Sequence, residues 1–446
     1  MIVVSGQADP TAPNAPAEPL TPVHRRWLLS PAVTAGVIVA VACLGVGFVT
    51  ARIDLALVGV PLVVAAAWAW DRRPGETVGV DVSTTATTDG ADATAEVRVA
   101  ATTRADAVEL RLALRGQAPQ HAFVSVAAAR RIAGRVRLAH SGPQQLVAAE
   151  VRILGADASI VSDPTPPSVA SRVVRPRVVP VRSLPLPARL IGLTGQHGSA
   201  RAGDGGEFRD VDRFTAGDRL RRIDWKATAR RGQSPGDLFV RRTMATSDAA
   251  VQFVFDSRDD LTGRVADWAA QYPELGVGSQ DLAREAAVSL ATAYSAAGDR
   301  VGFDDLASVA RQIPPRAGGR HLQRVLRAVS LTGPNGAAGD RVRAPVLAPG
   351  ALVYVLSTFL DEQALRLALV WRAAGHRVIA VDVLPTVDDG GLSTRERSAL
   401  RVVLLERELR FRRLTAAGVD RLRWQTGGGE HRDTALRVLS RPRRPR

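Results

Sequence analysis

Residues 27–50 contain no charged side chain, and this feature restricts the fold of the chain more than any other. As a helix, these 24 residues would extend about 36 Å, which is enough to cross a bilayer. A second apolar run of 16 residues, 55–70, follows after a short turn and contains Pro61. At about 24 Å it is short for a span, so its flanking aspartates would lie at the interfaces. The pattern predicts a transmembrane helical hairpin over residues 27–72.

The charges around the hairpin predict its orientation. Two arginines precede the first apolar run and two follow the second. By the positive-inside rule both ends lie in the cytoplasm, and Trp27, Trp68 and Trp70 then form an aromatic belt at one interface. A cleaved signal peptide is the alternative, but the apolar run continues past any small-residue cleavage site. We therefore expect a two-pass protein of the cell membrane whose soluble domains face the cytoplasm.

The overall charge indicates an anionic partner. Lys+Arg number 59 and Asp+Glu 44, a net charge of +15, which favours lipid head groups, nucleic acid or an acidic protein surface. The single cysteine, Cys43, lies in the first apolar run, so a disulfide-stapled fold is excluded. Residues 1–26 are predicted to be a disordered tail, and residues 431–446 a basic tail that anionic lipid would attract.

Two soluble domains are predicted from the hydrophobic period. Between residues 76 and 181 the period is two, as where Val108, Leu110 and Leu112 alternate with other side chains. About seven such strands fit, which predicts a small β-sandwich. Over residues 248–430, short apolar strands alternate with helices, which predicts a mostly parallel sheet covered by helices on both faces.

Residues 182–247 form a linker and a block in which charges of both signs alternate with glycines and aromatic residues. No phosphate-binding loop pattern is present, and the acidic side chains of the block would repel phosphate, so nucleic acid is not expected as a partner. The block contains three candidate catalytic carboxylates, Glu207, Asp218 and Asp224. Apart from His197, no histidine or cysteine that could act as their catalytic partner lies beside them.

We favour a structural interpretation of this block. Arginine forks pair with carboxylates in a semi-buried network that clamps two domains, with Trp225 and Phe208 as anchors. Since aromatic and arginine side chains dominate interfaces, the same block is also a plausible docking surface.

The block resembles the signature of the bacterial domain-of-unknown-function 58 family. The shared pattern is Gly-Ser, Arg-x-Gly, Glu-Phe, Arg-x-aromatic, Gly-Asp, and then Ile-Asp-Trp-Lys followed by Ala-Arg. The resemblance implies a membrane hairpin, a β-sandwich and a von Willebrand factor A-like domain, found beside MoxR-type AAA+ ATPases and without an established enzymatic activity. The signature positions that it marks as docking candidates are Arg201, Glu207, Phe208, Arg213, Asp218, Asp224, Trp225, Lys226 and Arg230.

The resemblance also implies a position for a metal site, since ligands bind such sheets at the carboxyl ends of the strands. Metal-binding A domains carry Asp-x-Ser-x-Ser, a Thr after Gly-Gly, and an Asp after Ser in three loops. The corresponding loops here are residues 256–260, 318–320 and 356–358. Their degenerate metal-site positions are Asp256, Arg258, Asp260, Arg320 and Thr358.

Arginine at two of these positions argues against a bound cation. Mg²⁺ requires oxygen ligands, and a guanidinium has no acceptor atom. We expect Arg258 or Arg320 to neutralise Asp256 in the place of a cation, so no metal and no cofactor is predicted. A plain capping role for Asp256 remains open.

The sequence thus predicts an α/β plus all-β protein: a transmembrane hairpin, a small β-sandwich and a von Willebrand factor A-like doubly wound α/β domain. The expected function is a non-enzymatic adaptor in contact with membrane lipid, which works with a MoxR-type ATPase in assembling or remodelling protein clients. The alternatives are a carboxylate-dependent hydrolase and a metal-dependent adhesion module. The hydrolase lacks a recognisable pair of nucleophile and base in the sequence.

Overall fold

The structure is a computed structural model that divides into two compact units. Its described residues before 139, together with 144–172, form the first unit, and residues 140–143 and those from 173 onward form the second. The predicted tail over residues 1–26 lies outside the described residues. The described residues are 27–71, 80–89, 92–101, 107–114, 118–125, 130–138, 140–155, 158–188, 190, 195–234, 236–270, 276–308, 312–335, 339–341 and 343–441.

The first unit combines two apolar helices with two sheets. Its elements are β1 (Trp27–Leu29), α1 (Pro31–Val49), α2 (Ile53–Asp71), β2 (Val80–Asp89), β3 (Asp92–Ala101), β4 (Ala107–Leu114), β5 (Gln120–Ser125), β6 (Arg130–Arg137), β7 (Gly142–Gly155), β8 (Ile160–Ser162) and β9 (Ser168–Val174). One sheet has the order β1-β8-β7-β4-β5 with β9 on β7, and the other has the order β2-β3-β6. Side chains of β4 and β7 share one hydrophobic cluster with Ala93 and Val97 of β3, so the two sheets pack face to face.

Helices α1 and α2 are each long and apolar enough to cross a membrane. Two glycines let their backbones approach closely, because a Cβ at Gly47 would lie 2.8 Å from the nitrogen of Ala56, and one at Gly59 would lie 2.8 Å from the oxygen of Ala40. The second helix is longer than predicted: it has 19 residues, includes both flanking aspartates and contains Pro61. The predicted second span was therefore too short, because Asp54 and Asp71 lie within the helix and not outside its ends.

The start of the predicted first helix is a strand instead. Residues Trp27–Leu29 pair antiparallel with β8, with Trp27 opposite Ser162, and α1 begins only after the N-cap Ser30. Trp27 is buried in a cluster with Ala69, Ile153 and Ile160, whereas Trp68 and Trp70 are exposed. Trp27 therefore packs inside the protein and does not share the predicted aromatic belt.

The second unit contains a twisted, mostly parallel sheet and a separate two-stranded ribbon. Its elements are β10 (His197–Arg213), α3 (Trp225–Arg231), β11 (Phe239–Ser247), β12 (Ala250–Phe255), α4 (Ser279–Ala296), β13 (Arg300–Asp305), β14 (Ile313–Arg316), α5 (Gly319–Leu331), β15 (Leu352–Ser357), α6 (Glu362–Ala373), β16 (Arg377–Asp382), α7 (Thr394–Ala416), β17 (Asp420–Arg423) and α8 (Gly429–Leu439). The sheet order is β14-β13-β12-β15-β16-β17, with β14 antiparallel to β13. Strands β10 and β11 form the ribbon.

Helices cover both faces of this sheet, as the alternation of strands and helices predicts. Side chains of α4, α5 and α8 pack with Val251, Phe253 and Phe255 in one cluster. Side chains of α6 and α7 pack on the opposite face with Val254 and Val353. Since successive strand residues point to opposite faces, a strand that is buried along its whole length, such as β12, serves both clusters.

Two predicted boundaries are corrected. Residues 173–181, assigned to the β-sandwich, belong to the second unit, where the amide of Val179 donates to Ser289 Oγ on α4 at 2.9 Å. Most of the predicted basic tail forms α8, because Leu436 and its neighbours place an apolar face against the sheet. Residues 442–446 lie outside the described part.

Candidate functional site

Asp256 lies at the carboxyl edge of the parallel sheet, directly after β12. After β12 the chain adds β13 and β14 on one side of this strand, and then β15, β16 and β17 on the other side. Such a switch in strand order opens a crevice in which α/β proteins bind ligands. Ser357, the last residue of β15, donates from Oγ to Asp256 Oδ2 at 2.9 Å. The predicted location of Asp256 is thus the position where a ligand would be expected.

Arg258 occupies this crevice. Its Nε donates to Asp256 Oδ1 and its Nη2 to Asp256 Oδ2, both at 2.9 Å, in the bidentate geometry that suits a carboxylate. The same guanidinium contacts Asp361 at 2.6 Å and Asp340 at 2.9 Å. Burial acts to lower the pKa of Arg258, but its bonds to Asp256 and the charge of Asp361 outweigh burial and raise that pKa. The guanidinium therefore lies where a cation would have been held.

The other predicted metal-site positions do not converge on Asp256. Thr358 donates from Oγ1 to Asp259 Oδ2 at 3.2 Å, so it reaches a neighbouring carboxylate. Asp260 accepts from the amide of Gln280 at the start of α4, and burial, followed by the charge of Asp281, raises its pKa. Within the described ranges, no group of three His, Cys, Asp or Glu residues is arranged to hold a metal ion.

The prediction that Arg320 belongs to this site is wrong. Arg320 is exposed in the first turn of α5, and the next residue, His321, contacts the carbonyl oxygen of Val301 at 2.9 Å. Val301 lies at the beginning of β13, so Arg320 is at the amino edge of the sheet, opposite to Asp256. The physical reason is that β14 runs antiparallel and returns the chain to the other edge.

Two partners of Arg258, Asp340 and Asp361, were not predicted from the sequence. Asp361 has a local signal, because its carboxylate caps α6 by accepting from the amide of Gln363 at 3.0 Å. Asp340 lies in a loop far along the chain and carries no such signal.

Another carboxylate at this edge, that of Asp304, makes the stability depend on pH. Burial raises the pKa of Asp304 from 3.8 to about 6, although Arg341 opposes the rise. The folded protein therefore binds this proton more tightly than the unfolded chain. Its contribution to stability is full below about pH 4 and is lost as the pH rises towards 6, by at most about 1.4 kcal/mol per pH unit.

We expect Asp304→Asn to remove this loss, while Arg341 keeps the carbonyl oxygens of Asp305, Leu306 and Ser308 as acceptors. The measurement is urea unfolding of both proteins from about pH 4 to 7. The variant should gain stability relative to the wild type as the pH rises, and a difference that does not change with pH would contradict the assignment.

The signature block forms the ribbon and a short helix. Glycines of the block lie within β10, where Gly198 and Gly203 pair with Thr246 and Thr243 of β11, and the register shifts between Ser199 and Ala202 and between Gly203 and Phe208. This pairing with a strand that is distant in the chain satisfies backbone N–H and C=O groups, which a local sequence pattern does not reveal. At the end of the ribbon, His197 Nε2 contacts the buried Asp299 at 3.0 Å, which attaches the ribbon to the sheet.

Two carboxylates of the signature, Asp218 and Asp224, have local structural roles. Asp218 accepts from the amide and hydroxyl of Thr215, both at 2.9 Å, and the backbone bond is the main cause of its lowered pKa. Asp224 is the N-cap of α3 and accepts from the amide of Ala227 at 2.9 Å. Arg213 ends β10, and the side chains of Arg201 and Glu207 lie outside the described part. The geometry therefore does not present Asp218 and Asp224 as a free catalytic pair.

The two aromatic side chains that were predicted to anchor this block are exposed. Trp225 is 67% exposed and Phe208 is 50% exposed. Helix α3 packs on β11 through Thr228, whose Oγ1 accepts from the amide of Phe239 at 2.9 Å. Because α3 has only two turns and contacts the ribbon on this side, Trp225, Lys226 and Arg230 remain exposed.

A surface cleft of about 580 Å³ opens beside α3. We call it the arginine cleft; its lining residues are Arg221, Arg222, Ile223, Asp224, Trp225, Arg241 and Thr243. The guanidinium of Arg241 lies 5.1 Å from the centre of the Phe208 ring, a cation–π contact. The structure therefore brings together signature residues with Arg241, a residue that the sequence analysis did not single out.

Comparison with known proteins supports the resemblance inferred from the block. The profile of a family described as "Protein of unknown function DUF58" matches residues 210–392, from β10 to the loop after β16. The uncharacterized protein Rv1480 of Mycobacterium tuberculosis is 29% identical over 245 residues, which cover 50% of this chain and 72% of that protein. The uncharacterized protein Mb1516 of Mycobacterium bovis matches with the same values. These similarities support a relation to the DUF58 family over part of the chain and carry no functional description.

Two solved structures were also compared. A β-glucuronidase from Ruminococcus gnavus has a TM-score of 0.15 at 10% identity, and the match covers 74% of this chain and 40% of that one. A β-D-glucuronidase from Dictyoglomus thermophilum has a TM-score of 0.14 at 9% identity and covers 68% and 43%.

Proposed function

We propose that this protein is a membrane-anchored, non-enzymatic adaptor that faces the cytoplasm and docks a partner protein through the arginine cleft. The observation that carries the proposal is the 67% exposure of Trp225 among arginines. Tryptophan and arginine contribute most of the binding energy at protein interfaces. Because the folded ribbon leaves Trp225 exposed, this side chain contributes little to the stability of the fold and is available to contact a partner protein.

The proposal gives the α/β unit a supporting role without metal chemistry. Numbered in chain order within the sheet, its strands follow 3-2-1-4-5-6 with the third antiparallel. We propose that this unit is von Willebrand factor A-like, with Arg258 in place of the cation. Its bidentate bond to Asp256 disfavours a metal-dependent adhesion module.

The membrane anchor in the proposal consists of α1 and α2. Their side chains are mostly exposed, as for Ile38, Phe48 and Leu57, which a bilayer would cover. Lipid contact and a cytoplasmic orientation follow from the flanking arginines. The resemblance implies that the partner is a MoxR-type AAA+ ATPase. We propose that other proteins are the clients of this pair and that nucleic acid is not a partner.

The proposal is tested by cross-linking and affinity capture of the full-length protein from the membranes of cells that express it. We expect Trp225→Ala to lower recovery of the docked partner about 30-fold, because a tryptophan hot spot contributes about 2 kcal/mol. The matched control is Phe123→Ala, which removes another exposed aromatic side chain, on β5. Equal recovery with both variants would reject the arginine cleft as the docking site.

A further inference from the structure

The charges around the arginine cleft are segregated in space although they alternate in sequence. Residues 218–241 contain seven basic and three acidic side chains. Each of the three aspartates is engaged by a nearby backbone amide: Asp218 by Thr215, Asp224 by Ala227, and Asp237 by Gln233 at 3.2 Å. The carboxylates therefore stabilise turns, and the outward charge of this surface is positive.

Two arginines of the cleft are available for an anionic ligand. Neither Arg221 nor Arg241 forms an ion pair with a carboxylate among the residues that the structure describes, and both are exposed. The ring of Phe208 restrains the Arg241 guanidinium, which lowers the entropy that a ligand's bond to it would cost. A planar guanidinium presents two parallel N–H donors, which match the two oxygens of a carboxylate.

Apolar side chains beside the cleft restrict the type of anion. Leu220 is 70% exposed and adjoins Arg221 in the chain, while Trp225 lines the cleft. A ligand that covers both must carry apolar groups next to its charges. A planar bilayer does not fill a concave cleft of about 580 Å³, and a polynucleotide gains affinity from many phosphate contacts along a longer groove.

We infer that the arginine cleft binds an acidic protein segment, whose carboxylates pair with Arg221 and Arg241 while an apolar side chain packs on Trp225. This inference rests on the proposed function and names the chemistry of the partner. Opposite charge and exposed apolar area are both required, so specificity comes from their combination.

The test uses the purified full-length protein in nanodiscs of neutral lipid. The probe is a fluorescein-labelled peptide of 12 residues that alternates glutamate and leucine, and its binding is measured by fluorescence anisotropy at low salt. We expect the glutamine counterpart of the probe to bind at least tenfold more weakly. The variant with both Arg221→Glu and Arg241→Glu should lose the acidic probe and bind a lysine–leucine probe instead.

The matched control is Arg324→Gln, which removes a positive charge from the exposed face of α5 and should leave binding unchanged. The inference fails if the acidic probe does not bind, or if it binds equally to the charge-reversed variant. It also fails if a thymidine oligonucleotide or vesicles with phosphatidylglycerol displace the probe. If capture depends on Trp225 but the acidic probe does not bind, the docking function stands and only the partner's chemistry is rejected.

Discussion

Replacing Arg258 with alanine is expected to lower the free energy of unfolding by about 3 to 5 kcal/mol, the usual effect of leaving a buried charge without its partner. Asp256 is only 8% exposed and would keep Ser357 Oγ as its side-chain donor. Two further carboxylates that Arg258 contacts, Asp340 and Asp361, would then repel it. Chemical denaturation of the full-length protein, followed by circular dichroism, measures this loss.

A double variant separates the charge from the packing. Asp256→Asn together with Arg258→Ala removes both charges, so part of the lost stability should return.

Mg²⁺ is expected to leave the unfolding transition of the wild-type protein unchanged, because both carboxylate oxygens of Asp256 already accept N–H donors. A loss in Arg258→Ala below about 1 kcal/mol, the range of an exposed pair, would show that the guanidinium does not balance a buried charge.

Replacing Arg284 with alanine is expected to destabilise the protein by a similar amount, about 3 kcal/mol or more. Arg284 is 2% exposed on α4. Its Nε and Nη2 donate to the carbonyl oxygen of Thr332 at 3.1 and 2.7 Å, and its Nη1 donates to that of Ser141 at 3.1 Å. Removing the side chain would leave these buried oxygens without those donors.

Chemical denaturation of the full-length protein, followed by circular dichroism, also tests the expected effect of Arg284→Ala. Arg284→Lys should rescue little, because a single ammonium does not reproduce several donors held in a plane. Arg324→Ala, on the exposed face of α5, is the matched control and should change stability by less than about 0.5 kcal/mol. If Arg284→Ala behaves like this control, the bonds around Arg284 do not hold residues 140–143 in the second unit.

Both arginines illustrate how this protein uses charge. Arg258 and Arg284 are enclosed by acceptors and stabilise the second unit, whereas Arg221 and Arg241 face solvent. The net charge of +15 therefore combines two populations of arginine with different roles. Only the exposed population contributes to the proposed docking of an acidic segment.

Much of the secondary structure follows from local patterns. The apolar composition of α1 and α2 predicts helices for a membrane, because the free energy of transfer depends on the side chains of a single segment. The mostly apolar strands β12 and β15 predict a parallel sheet buried on both faces. The position of Asp256 after β12 then places it at the carboxyl edge without knowledge of the rest of the fold.

The sequence by itself therefore determined which segments are apolar helices, which are buried strands, and which residue ends the first strand of the parallel sheet. Only the tertiary structure decided that Trp27 pairs with a strand opposite Ser162, that Gly198 and Gly203 of β10 pair with β11, and that Arg320 lies at the far edge. It also decided that Asp218, Asp224 and Asp237 accept from nearby backbone amides while Arg221 and Arg241 face solvent. The physical reason is that hydrophobic period and propensity act over a few neighbouring residues, whereas strand pairing and ion pairing join groups that are distant in the chain.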